Sequence, residues 1–200
     1  MDQISHNQTE ERFRKWLNRH SLQPDAYYLI VGRFVPENNY EIMIREYMRS
    51  ASGRKLAIIT TTNDALLNLL EEKLRFKGDN RIIFTGTVYD RKVLCKIRRN
   101  AFAYLHGHEV GGTNPSLLEA MGNTNLNLLL DVGFNREVGG DAALYWNKKK
   151  GSLSHLIDYA ESLHKEKQLE YGQRAKDRMR ELYSWERIGR QYELLFVEES

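Results

Sequence analysis

Hydrophobic positions follow two rhythms along this chain. Short runs that are apolar nearly throughout recur at Tyr27–Val31, residues 56–60, Ile82–Phe84, residues 101–105 and Leu126–Leu130. Such runs suit strands buried on both faces of a parallel sheet, with helices covering each side. Between them, apolar residues repeat at helical spacing: Tyr40, Met43, Ile44, Tyr47 and Met48, then Leu66, Leu70 and Leu74, then Val93, Leu94 and Ile97. Strand and helix alternating at this interval predict an α/β fold, a single Rossmann-like doubly wound parallel sheet. The end of the chain changes character. Residues 152–196 are strongly charged and helical in pattern. Leu153, Leu156, Ile157, Tyr159, Ala160 and Leu163 form one apolar stripe. Ala175, Met179 and Leu182 form another, continued by Ile188, Tyr192 and Leu195 after Ser184-Trp185. Two or three extra C-terminal helices packed on the sheet are predicted. Residues 4–22 predict one more helix, with Phe13, Trp16 and Leu17 as its apolar face.

Composition narrows the class. The chain has 200 residues, 41% hydrophobic and 28% charged, enough for one large domain with a core that needs no cross-links. Its single cysteine, Cys95, excludes an intramolecular disulfide and a cysteine-based zinc site, and fits a reducing cytoplasm. A net charge of +3, with basic residues scattered, does not point to nucleic acid. No apolar run approaches the roughly 20 residues of a membrane span. The first twenty residues are polar and charged, unlike a secretory signal.

In an open α/β sheet, ligands bind beyond the carboxyl ends of the strands, near the point where strand order reverses. After the first strand come Gly32 and Arg33. Gly32 permits a tight turn and close approach, and Arg33 presents a planar fork suited to phosphate, or is simply a surface side chain beside a turn. The stretch lacks the Gly-x-Gly-x-x-Gly fingerprint, which disfavours a nicotinamide or flavin cofactor. After the third strand come Gly86, Val88, Tyr89 and Asp90. Asp90 can cap the next helix, and the amides around Val88 could read a base edge with Tyr89 beside it; a plain strand-to-helix turn fits equally.

The most informative stretch follows the fourth strand, from His106 through Glu109, Gly111, Gly112, Thr113, Asn114 and Pro115 to Ser116 and Glu119. Thr113 or Asn114 can cap a helix that Pro115 opens. The two glycines leave amides open to an anion such as phosphate. Glu119 shares a helix face with Ser116 and can accept hydrogen bonds from sugar hydroxyls. Together these describe a nucleoside diphosphate held by its phosphates and ribose. His106, His108 and Glu109 lack a further well-spaced ligand, so no metal is expected, and the histidines serve as hydrogen-bond donors near phosphate. Arg91, Lys92, Lys96, Arg98 and Arg99 read as a solvated basic helix face, with attraction to an anionic ligand or membrane surface as the alternative.

Three segments carry a family resemblance. They are Val31-Gly32-Arg33-Phe34-Val35-Pro36-Glu37-Asn38-Asn39-Tyr40, the stretch His106 to Glu119 continued by Ala120, and Leu128-Leu129-Leu130-Asp131-Val132-Gly133-Phe134-Asn135-Arg136-Glu137. With Gly86, they resemble the C-terminal, donor-binding half of family 4 glycosyltransferases, retaining enzymes of the two-domain GT-B fold. Among these the chain looks most similar to bacterial rhamnosyltransferases of capsule and cell-wall polysaccharide synthesis. The resemblance runs over residues 27–196.

By that resemblance Arg33 contacts the donor pyrophosphate. Asn38 stands where the family carries a lysine. Glu119 matches the second glutamate of the family's Glu-x7-Glu pattern and binds the ribose. The first glutamate is replaced by Gly111, and Glu109, two residues earlier, takes over contact with the transferred sugar. The resemblance implies Arg33 and Glu109 as catalytic residues. It implies a donor site built from Gly32, Arg33, Asn38, Gly86, Val88, Tyr89, His106, Glu109, Gly111, Gly112, Thr113, Asn114, Ser116 and Glu119. The donor is dTDP-rhamnose or another nucleotide sugar, with no further cofactor and no metal, and the leaving diphosphate takes the acceptor proton in a same-face reaction. The acceptor is a lipid-linked saccharide, and location is cytoplasmic, with peripheral association at the inner face of the membrane.

The expected organisation is residues 1–23 as a helix or linker from a missing N-terminal domain and residues 24–168 as the nucleotide-sugar-binding domain. Residues 169–200 are expected as helices crossing back to the missing half, without which the fragment is expected to be inactive. A GT-B epimerase or phosphorylase half and a non-catalytic nucleotide-binding module are the alternatives.

Overall fold

A computed structural model of the protein describes residues 2–183, with side chains from residue 7. Six strands form one all-parallel sheet: β1 (Tyr27–Val31), β2 (Lys55–Ile59), β3 (Ile82–Phe84), β4 (Ala103–His106), β5 (Leu126–Leu130) and β6 (Leu144–Trp146). Their order is β3-β2-β1-β4-β5-β6, so the direction of winding reverses between β1 and β4. The helices are α1 (Asp2–Arg19), α2 (Tyr40–Arg49), α3 (Asp64–Leu74), α4 (Arg91–Arg99), α5 (Pro115–Met121), α6 (Gly133–Gly139), α7 (Ser152–Ser162) and α8 (Lys165–Leu182). This is the expected α/β, Rossmann-like architecture.

The near-continuous apolar runs are explained by the layers. Tyr28, Ile30, Leu56, Ile58, Leu105 and Leu128 face α2, α3 and α7 on one side of the sheet. Tyr27, Leu29, Ala57, Ile59 and Tyr104 alternate with them and face α1 and α4 on the other. Leu129 meets α5, α6 and α8 on that second side. A strand buried on both faces cannot carry the polar half of an alternating pattern.

The strand after residue 100 starts two residues later than the apolar run suggests and extends to His106. Ala101 and Phe102 are buried, but they lead into the strand from below. The sixth strand, Leu-Tyr-Trp, is too short to stand out by pattern; it forms because Trp146 and the β5 edge zip together in register with Leu130. The N-terminal helix packs on the sheet through Phe13, Trp16 and Leu17, as expected, with Trp16 edge-on to Tyr27 at 5.9 Å between ring centroids. The predicted helical stretch over 185–196 lies outside the described residues. Among the described residues, no helix is long and apolar enough to cross a membrane.

Trp16 is 8% exposed and sits in the same cluster as Tyr27 and Leu29. Trp16→Ala is expected to cost about 3 kcal/mol of unfolding free energy, as truncations of large buried rings do. Urea unfolding checks it. A change below about 0.5 kcal/mol, the scale of an ordinary surface substitution, would mean that α1 is not part of the cooperative fold.

Candidate functional site

The cavity of interest opens where β1 and β4 part, at the reversal of strand order. It encloses about 410 Å³. Its walls are the loop after β1, the loop after β4 and the start of α5. Both loops are held in shape by side chains acting on backbone carbonyls.

Three successive carbonyls, from the last residue of β1 onward, are each taken by a side chain. The Val31 oxygen accepts from the Tyr104 hydroxyl at 3.0 Å and from Ser116 Oγ at 3.2 Å. The Gly32 oxygen accepts from the Tyr40 hydroxyl at 3.0 Å. The Arg33 oxygen accepts from Asn38 Nδ2 at 2.7 Å. These bonds come from β4, α5, α2 and the loop itself, so the backbone that carries Arg33 is set by four segments. Its guanidinium is exposed and makes no ion pair among the described residues.

The loop after β4 docks against this one. Asn39 is buried with φ +54°, stands just before α2 without a side-chain cap bond, and donates from Nδ2 to the Gly107 oxygen at 2.8 Å. A Cβ at Gly107 would stand 2.5 Å from the Asn38 oxygen, so only glycine allows the approach. The Glu109 amide donates to the Glu37 oxygen at 3.2 Å. Asn135 on α6 is fully buried and donates to the oxygens of His108 and Leu130, tying the loop from its other side. Asn114 caps α5 by accepting from the Ser116 amide, and Pro115 is the first helical residue. Gly111, at φ +102°, turns the chain just before this cap.

The two histidines differ sharply. His106 is 4% exposed, stacks on Tyr104 at 5.9 Å, and its Nε2 has no hydrogen-bond partner among the described residues. Burial, and then the neighbouring His108, push its pKa down to about 3, so it is a neutral ring at physiological pH. His108 is half-buried on the cavity wall, with Nδ1 2.7 Å from Asn38 Oδ1. Burial and then the Arg33 charge hold it below the ordinary histidine range.

Nine of the expected donor-site residues line this cavity: Gly32, Arg33, Asn38, His106, Gly111, Gly112, Thr113, Asn114 and Ser116. A shallower groove beside it shares Gly32, Arg33 and Ser116 and adds Val88 and Glu119. Glu109, Gly86 and Tyr89 line neither. Glu109 pairs with Lys148 from the loop after β6; burial, the largest single influence, raises its carboxyl, but Lys148, Asn39 and His108 together hold it below the usual range. Gly86 turns at φ +73°, and Tyr89 is 88% exposed.

Arg98 departs from the expected solvated face. It is 3% exposed, and its Nη1 lies 2.6 Å from Glu119 Oε2 while Nη2 donates to Ser116 Oγ at 3.2 Å. It therefore sets the carboxylate and hydroxyl that share the α5 face. Its position next to the end of a basic run hid this role; a clue was Leu94, which lies one helical turn before residue 98 beside the apolar face of Val93 and Ile97. Lys148 was also missed, because the short β6 that presents it has no pattern. The sequence marks His108 as a donor near phosphate, but its coupling to Asn38 is visible only in three dimensions. Among the described residues, no three His, Cys, Asp or Glu side chains converge as a metal site.

No protein-family model and no curated protein matches the sequence. Solved structures do match in fold. A glycosyltransferase from Rickettsia africae ESF-5 aligns with TM-score 0.80 at 14% identity, over 94% of this chain and 52% of that one. HepE from Anabaena, in complex with UDP and glucose, aligns with TM-score 0.78 at 14% identity, over 93% of this chain and 52% of its own. Sucrose-phosphate synthase from Thermosynechococcus elongatus aligns with TM-score 0.76 at 16% identity, over 92% and 49%. These neighbours are GT-B glycosyltransferases, and the chain has the fold of one Rossmann-like half of such an enzyme. It spans about half their length.

The buried neutral His106 makes stability pH-dependent. Its folded pKa is about 3 and its unfolded value is near 6.5. Between these the unfolded chain binds the extra proton, so the contribution is complete above pH 6.5 and falls as pH drops toward 3. From pH 7 to pH 5 this one ring should cost about 2 kcal/mol. Urea unfolding of wild type and His106→Gln at both pH values isolates it. The same loss in both proteins would show that the ring is not buried in its neutral form.

Proposed function

We propose that this chain is the donor-binding half of a retaining glycosyltransferase, and that the β1–β4 cavity takes the diphosphate of a nucleotide sugar. The observation that carries this reading is Arg33: an exposed guanidinium without an ion-pair partner among the described residues, on a braced backbone at the wall of the cavity. An unpaired cation in a polar cavity at the strand-order reversal suits a phosphate. Gly111–Thr113 line the same cavity, and their amides complete the anion site. Glu119, oriented by Arg98, accepts from a ribose hydroxyl, and the segment from Gly86 to Tyr89 receives the base.

On this reading the chemistry is electrostatic. Arg33 and the loop amides stabilise negative charge on the diphosphate as the sugar–phosphate bond breaks, and they are placed before the reaction begins. The diphosphate leaves on the face where the acceptor arrives and takes its proton, so no residue of this half acts as nucleophile. A second Rossmann-like domain supplies the acceptor side, in keeping with a chain that spans about half of its structural neighbours. The donor we propose is dTDP-rhamnose, on the strength of the resemblance in the loops after β1, β4 and β5. The acceptor is a lipid-linked saccharide in polysaccharide synthesis. Glu109 contacts the transferred sugar once the donor displaces Lys148 from it.

Calorimetric titration with dTDP, UDP, GDP and their sugars tests the reading. Selective binding of dTDP or dTDP-rhamnose is expected. Preference for UDP or GDP would keep the donor site and replace rhamnose. Arg33→Ala should weaken binding about 10- to 100-fold, the range for a lost hydrogen bond to a charged group. Unchanged affinity in Arg33→Ala would remove the diphosphate from this cavity.

A further inference from the structure

The Asn38 amide can sit only one way round. One end lies 2.7 Å from the Arg33 carbonyl oxygen, which can only accept, so that end is Nδ2, donating. Oδ1 then faces His108 Nδ1 at 2.7 Å, and an amide oxygen can only accept. Nδ1 therefore carries a proton in every charge state of the ring. In the neutral ring the lone pair is on Nε2. Nε2 lies on the Gly111 side, 3.9 Å from where a Cβ at that glycine would stand, and His108 shares the cavity wall with Arg33.

We propose, building on the donor site proposed above, that His108 is a proton-linked contact to the diphosphate. Nε2 takes one proton from solvent as the diphosphate enters and donates it as a hydrogen bond to a phosphate oxygen. No bond to phosphorus changes in this step.

The groups facing the ring come from several elements. Arg33 and Glu37 lie on the loop after β1, and Glu109 lies on the ring's own loop, paired with Lys148 from the loop after β6. His106 on β4 is 6.1 Å away between centroids, and Phe134 on α6 packs at 5.8 Å without charge. Burial and then Arg33 disfavour the charged ring, while Glu37, the Val110 carbonyl and Glu109 favour it. His106, buried and neutral, does not compete for the proton. An esterified diphosphate brings negative charge that offsets Arg33 and tips the balance toward imidazolium. The cation that Asn38 itself cannot supply then comes from the ring that Asn38 orients.

The test uses UDP-glucose and dTDP-rhamnose, because their esterified diphosphates do not titrate near neutrality. Calorimetry at pH 7 in buffers of different ionisation enthalpy should show uptake of about one proton. Affinity should fall about three- to tenfold from pH 6.5 to 7.5, tenfold being the limit for one linked proton. His108→Gln should bind without proton uptake and with a flat pH profile. Binding by wild type with no proton uptake, or equal uptake in His108→Gln, overturns the proposal and leaves the donor site standing. Failure of both sugar nucleotides to bind overturns the donor site and this proposal together. In the free protein at pH 7.5, ring nitrogen NMR shifts report the tautomer directly: a proton on Nδ1 supports the proposal, and a proton on Nε2 overturns it.

Discussion

Everything at the candidate site depends on the capture of three consecutive carbonyls, of Val31, Gly32 and Arg33, by side chains from other parts of the fold. A loop leaving a buried parallel strand has lost its ladder partners and must satisfy its backbone some other way. Here Tyr104, Ser116, Tyr40 and Asn38 do so. Each bond is worth only about 1 kcal/mol net, but leaving a buried carbonyl unmet costs more, so the four side chains define one loop conformation rather than many. Arg33 inherits that definition. Its charged end stays free because its backbone, not its guanidinium, is what the fold holds.

The two arginines near the reversal of strand order show how burial divides the work. Arg98 is buried, and its charge is met by Glu119, with Ser116 as a further acceptor. A buried cation without a carboxylate would be strongly destabilising, so Glu119 supports the fold as well as facing the groove. Arg33 is exposed and unpaired among the described residues, which costs little in water and leaves a charge for a ligand. Between them, the Asn38–His108 pair couples the loops after β1 and β4. The close passage at Gly107 makes the two loops one unit, since a side chain there would push them apart.

Much of this protein can be read from the sequence. Strands buried on both faces need unbroken apolar runs, and the helices between them need an apolar stripe, so the five apolar runs and the α/β class follow from local pattern. The caps at Asp90 and Asn114 are equally local, because a cap is a contact within three residues. The rule that ligands gather beyond the strand ends then marks out Arg33 and the Gly111–Ser116 turn without any coordinates.

What pattern could not decide depends on contacts between distant residues. Whether Arg98 faces water or Glu119, whether Glu109 faces the cavity or Lys148, and which histidine is sealed are settled by packing between segments far apart in the chain. β6 exists because β5 offers it an edge, not because three residues announce a strand. Local pattern accounts for the long-range alternation of strand and helix and for which faces are apolar. Only the tertiary structure decided which charges are paired, which are left free, and which proton His108 must keep. Periodicity is a property of neighbours along the chain, whereas charge pairing, burial and hydrogen-bond direction are properties of neighbours in space.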